Sequence, residues 1–174
     1  VASTFFTSIH DNKLVVRVKS ELENREREIS SETLKSVFRG ITEHSHLHNS
    51  NDLTNDDLTR SFGLYNAYTQ PDRVEKLDLK YLGKIEVFMK TREDGKRHIG
   101  LVRDDMFITD NWKGKLNPKS MTDFDVLIIP RDPAGCELIR SMEPPAHDDL
   151  APHHTSSDPE KVGKAKKNIM ELWC

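Results

Sequence analysis

Most of the eight histidines fall into two groups. His44, His46 and His48 alternate, so a strand would set them on one face. His147, His153 and His154 stand near Asp148 and Asp149. Imidazoles and carboxylates ligate first-row metals, and three such groups can hold a zinc with an open position. Neither group has a recognised zinc spacing, and the first sits among Asn, Ser and Asp. Surface histidines in loops are the better reading. A metal-dependent hydrolase or nuclease built on His147, Asp148, Asp149, His153 and His154 is the rival hypothesis.

Two other stretches are too specific for plain surface. Arg103-Asp104-Asp105-Met106-Phe107-Ile108-Thr109 is a charged corner between apolar runs. Gly135-Cys136-Glu137-Leu138-Ile139-Arg140-Ser141-Met142-Glu143-Pro144-Pro145-Ala146-His147-Asp148 ends an amphipathic helix in a stiffened turn. There Glu143, His147 and Asp148 can order neighbouring backbone by hydrogen bonds. Cys136 stands near a helix start, where the dipole lowers a thiol pKa. It also lies on the amphipathic pattern, which favours a small core residue. The sequence has no G-x-S-x-G, no phosphate-cradling G-x-x-x-x-G-K-[ST] and no G-x-G-x-x-G.

The elements that must position these residues follow from periodicity. The chain has 174 residues, 35% hydrophobic and 32% charged, with net charge −3. This near-neutral balance lacks the basic stripe of a nucleic-acid binder. The basic run at 161–167 reads as the solvent face of a helix. No stretch approaches the ~20 apolar residues of a membrane span. Two cysteines give no disulfide framework, which fits a reducing, cytoplasmic compartment. The start at Val1 and the abrupt apolar end at Leu172-Trp173-Cys174 suggest a segment of a larger protein.

Ala2, Phe5, Phe6 and Ile9 have helical spacing, and residues 14–18 read as a strand. The charge run at 21–28 reads as a solvated loop or helix face. Ser30 or Ser31 caps a helix with face Leu34, Val37, Phe38 and Ile41. A second helix starts at Thr54, carries Leu58, Phe62 and Tyr65, is weakened by Gly63 and breaks at Pro71. Alternation from Gly83 predicts a strand over 85–91. Asp94-Gly95 supplies a tight turn, so 96–103 is expected as its antiparallel hairpin partner. Residues 106–109 continue as a short strand. The apolar run at 124–130 is a central strand. Asp132-Pro133 starts a helix that buries Leu138, Ile139 and Met142 with Phe124, Val126 and Ile128. Asp158-Pro159 starts a last helix with Val162, Ala165, Ile169 and Leu172. The expected class is α+β, a mostly antiparallel sheet with helices packed on one face.

Three islands, FFTSIHDNKLVVRV, HIGLVRDDMFITD and GCELIRSMEPPAHDDLAP, resemble the region that follows the nucleotide-binding domain in bacterial ATPases of the GHKL superfamily. The chain departs from that pattern at Asp104-Asp105, where the family has Asn-Gly, and at Cys136, where it has Asn. The resemblance implies a transducer-like domain over 76–174, preceded by a helix-strand-helix linker over 1–75. It implies a non-catalytic relay that couples nucleotide state to a dimer or partner interface. ATP and Mg²⁺ then belong to the parent protein, an ATPase, and neither to this segment. The superfamily's Asp-x-Gly-x-Gly adenine loop is missing, and the eight glycines include no G-x-G. By the same resemblance Arg103, with Lys113 or Lys115 behind it, is the candidate cation for a γ-phosphate, and Glu143, His147 and Asp148 form a relay turn. The implied partners are the nucleotide-binding domain of the same protein and a second copy in a homodimer, with nucleic acid reached through other domains. The implied setting is bacterial defence, including antiviral defence, or DNA transactions. A plain protein-interaction module using Leu172 and Trp173 is a further rival.

Overall fold

The computed structural model describes residues 1–20, 25–44, 55–93, 97–110, 123–145, 150–151, 160, 163 and 167. Helix α1 (Ala2–His10) is followed by a two-stranded antiparallel ribbon, β1 (Val16–Ser20) and β2 (Arg25–Ile29). Helices α2 (Leu34–His44) and α3 (Asn55–Thr69) come next. Then follow β3 (Arg73–Leu79), β4 (Gly83–Arg92), β5 (Arg97–Arg103), β6 (Met106–Thr109), β7 (Asp123–Pro130) and helix α4 (Pro133–Met142). The architecture is α+β and mostly antiparallel, as expected.

The larger sheet has the order β3-β4-β7-β5-β6. Residues 85–91, 97–103 and 124–130 do contribute to one sheet, but the expected hairpin of the first two is not there. Strand β7 lies between them, antiparallel to β4 and parallel to β5. The physical reason is hydrophobicity. Leu127, Ile128 and Ile129 are all buried, and a run apolar on both faces belongs at the centre of a sheet. Asp94-Gly95 lies outside the described residues. Within the charge run at 21–28, residues 25–28 belong to strand β2 in place of the expected loop or helix face, and 26–28 are exposed as expected. The register of β2 sets Arg17 opposite Glu28 and Lys19 opposite Glu26, so the alternating charges serve cross-strand pairing.

Side chains alternate across the sheet and build a core on each side. On one face Val102, Leu127 and Ile129 pack with Phe6 and Ile9 of α1, Leu34 and Phe38 of α2, and Leu64 and Tyr65 of α3. On the other, Ile85, Leu101 and Ile128 pack with Leu82 and with Ile139 and Met142 of α4. Helices therefore cover both faces, not one. A sheet this apolar on both sides would otherwise leave a face in water. Val126 and Leu138 join the second core partly buried, while Phe124 lies outside it, under the Arg97 guanidinium at 6.0 Å. The first core draws on residues from both sides of position 75.

Among the described residues no helix is long and apolar enough to cross a membrane. The helix expected from Asp158 falls almost wholly outside the described residues, with Leu172 and Trp173.

Candidate functional site at the Arg103 corner

Strands β5 and β6 meet in a two-residue turn, with Arg103 opposite Met106. Asp104 and Asp105 hold φ of 48° and 63°. Positive φ at both central positions is what a type I′ hairpin requires, and Asn-Gly or Asp-Gly meets it with least strain. The corner is therefore an Asp-Asp turn in a conformation that favours glycine in its second place.

Side chains from both helical layers hold that turn. From the α1 side, Thr7 Oγ1 donates to the Asp105 carbonyl at 3.0 Å, and Lys13 Nζ donates to Asp105 Oδ2 at 2.7 Å. The hydrogen bond to Asp105 raises the Lys13 pKa, against a smaller desolvation. From the α4 side, Arg140 Nη2 donates to Asp104 Oδ2 at 2.7 Å, and Arg140 Nη1 donates to Glu137 at 2.7 Å.

Arg103 closes the network. Its Nη1 donates to Asp104 Oδ2 at 2.6 Å. Its Nε and Nη2 donate to the two oxygens of Glu143 at 2.5 and 2.8 Å. The two side chains are 5% and 0% exposed. Hydrogen bonding to Glu143 raises the Arg103 pKa against the opposing effect of burial. This fork-on-carboxylate geometry is the strongest form of an ion pair. Glu143 sits just past α4, in extended backbone with its N–H on the Arg140 carbonyl at 3.1 Å.

The structure thus joins the charged corner to the start of the Glu143 turn. The Arg103 guanidinium is engaged by two carboxylates of its own chain. Lys113, Lys115, His147 and Asp148 lie outside the described residues, as do Asp149, His153, His154, His46 and His48. Among the described residues no group of His, Cys, Asp and Glu is placed to hold a metal ion. Cys136 is buried with its thiol 3.6 Å from the Pro130 carbonyl, and burial pushes its pKa up. It is a core residue.

A second polar cluster has no counterpart in the sequence reading. Asp125 on β7 is buried. It accepts from Arg92 Nη1 at 3.0 and 2.8 Å and lies 2.7 Å from His98 Nδ1. Helix α3 crosses directly over it at Gly63, where a Cβ would come within 2.4 Å of both Arg92 Nη1 and Asp125 Oδ2. The one signal in the sequence was Gly63 itself, a glycine inside a helical pattern. An aspartate that orients a histidine can serve a general base. Here Cys136 lies on the helix of the opposite face, so the pair is not joined to that thiol.

Compared with known proteins, the chain matches no family model, no curated protein and no solved structure.

Proposed function

We propose that the chain is a non-catalytic relay segment of a larger GHKL-type ATP-binding protein, working in the cytoplasm and coupling nucleotide state to a dimer or partner interface. The observation that supports this reading is the buried bidentate pair Arg103–Glu143. It joins two of the three islands that carry the resemblance. Through Asp104 and Asp105 the same corner touches α4 and the α1 segment. A displacement of either helical layer is then felt by the other through ion pairs that have to re-form.

The sequence has no Asp-x-Gly-x-Gly loop, so on this reading nucleotide chemistry falls to another domain of the parent. Arg103 acts here through Glu143 as a positioning residue. Lys13 and Thr7 transmit from α1, and Arg140 transmits from α4.

The test is made in the parent protein. Arg103→Ala lowers kcat tenfold or more, equivalent to at least about 1.4 kcal/mol of transition-state stabilisation, with a smaller change in nucleotide affinity. Arg103→Lys keeps the charge without the fork and gives an intermediate loss. Circular dichroism checks that each variant is folded. The 174-residue chain alone turns over no ATP with any divalent ion. Wild-type turnover by Arg103→Ala, or ATP turnover by the isolated chain, overturns the assignment.

A further inference from the structure

Strand β3 is a terminal strand of the larger sheet, hydrogen-bonded only to β4. Its outer edge has no ladder partner among the described residues. Such an edge is a template for another strand. It also carries unusual apolar exposure. Val74 and Leu77 on the strand, and Tyr81 just after it, are 41%, 40% and 37% exposed.

We propose that β3 pairs edge to edge with β3 of a second copy, extending the sheet across a two-fold axis centred on Leu77. A two-fold normal to a sheet sets like faces together, so each centre fixes its own set of opposed residues. Centred on Glu75 or on Lys76, the pairing opposes two like charges. Centred on Asp78, it does the same. Centred on Val74, it overlaps only the first residues of the strand and runs into Pro71, which has no N–H to give.

Centred on Leu77, the two leucines meet on the face that carries Ile85 and Val87. Lys76 of each copy then stands opposite Asp78 of the other, on the opposite face, where its exposed Nζ also lies 3.3 Å from Glu86 Oε1 of its own chain. Opposite charges directly across strands stabilise a pair, and like charges destabilise it. Centred on Leu79, Asp78 also meets Lys80 of the other copy, but the pairing overlaps only the last residue of the strand. Charge complementarity together with overlap along the whole strand thus selects both the occupant, a second copy, and the register. The argument stands on β3 alone and not on the relay reading, to which it supplies the dimer interface.

The test uses the 174-residue chain in sedimentation velocity over a concentration series. Wild type shows a reversible dimer. Asp78→Lys sets Lys76 against a lysine at both ends of the pairing and raises the dissociation constant by about tenfold or more. The double variant Lys76→Asp Asp78→Lys restores the dimer. Under mild oxidant, Leu77→Cys cross-links two copies. All four positions are on an exposed edge, and circular dichroism confirms that the variants are folded. A wild type monomeric throughout, an Asp78→Lys variant as dimeric as wild type, a double variant that does not recover, or cross-linking through Val74→Cys in place of Leu77→Cys overturns the proposal. ATP turnover by the parent is a separate measurement, so failure of the edge pairing is distinguished from failure of the relay.

Discussion

Arg103 and Glu143, forty residues apart in the chain, face each other fork to carboxylate with both side chains out of water. A buried pair of this kind is weak ground for overall stability, because two charges must be desolvated to form it. Its breaking is another matter.

Removing one partner leaves the other charged and buried. Glu143→Ala is expected to destabilise the chain by about 3–5 kcal/mol. Arg103→Met combined with Glu143→Leu should cost far less than the sum of Arg103→Met and Glu143→Leu made singly. Urea titration of the four proteins completes the cycle, and additive losses would remove the pair from the account.

The Asp105 backbone is strained at φ 63°, and its carboxylate is held by Lys13. Asp105→Gly relieves the strain, worth on the order of 1 kcal/mol, and loses a surface pair worth about 0–1 kcal/mol. In high salt, where the pair is screened, the glycine variant should be the more stable protein. Thermal melts at low and high ionic strength check this, and a variant less stable in both refutes it.

Gly63→Ala tests the close crossing of α3 over Asp125. Helix propensity alone would favour alanine by about 1 kcal/mol. The added Cβ instead meets Arg92 and Asp125 at 2.4 Å, and overpacking of this kind costs about 1–3 kcal/mol. Net destabilisation in a denaturant titration is expected; a stabilised variant would show that the helix stands further off.

Asp72 gives the acid limb of stability a definite sign. Hydrogen bonds from the Thr91 hydroxyl, the Thr91 N–H and Lys90 hold its carboxyl well below the usual range. A depressed folded-state pKa stabilises above the unfolded value, and that contribution is lost as pH falls through the folded one. Asp72→Asn should therefore flatten the loss of stability below about pH 4. An unchanged acid limb would count against the three hydrogen bonds.

The core test falls on Ile139 and not on its neighbour. Ile139 is fully buried between α4 and the sheet, whereas Leu138 is only partly covered. Ile139→Ala is expected to cost about 2–5 kcal/mol. A loss below about 0.5 kcal/mol, the level of a surface position, would refute the packing.

Helices α1, α2, α3 and α4 were legible because each carries apolar residues at helical spacing, and α4 also has a proline behind a capping Asp132. Strands β4 and β5 are legible from period-2 alternation, and β7 from its continuous apolar run. What was not legible was adjacency. A turn-like Asp94-Gly95 predicts a hairpin from local chemistry, while strand order is decided by which run is apolar on both faces. Strand β3 is not legible because Val74, Leu77 and Leu79 do not keep a period of two. At the site, the sequence singled out the two stretches but not their contact, since an ion pair across forty residues has no spacing to read. The Asp125 cluster was invisible for the same reason, except at Gly63.

The insertion of β7 between β4 and β5 has a consequence for how the molecule is made. The strand at the centre of the sheet is also the last of its strands to leave the ribosome. Until it arrives, β4 and β5 each present an open inner edge, and neither can complete its ladder with the other. Non-local pairings of this kind slow folding and lengthen the exposure of unpaired strands. The local pairs β3–β4 and β5–β6 need no later residue, but joining them into one sheet waits on residues 123–130.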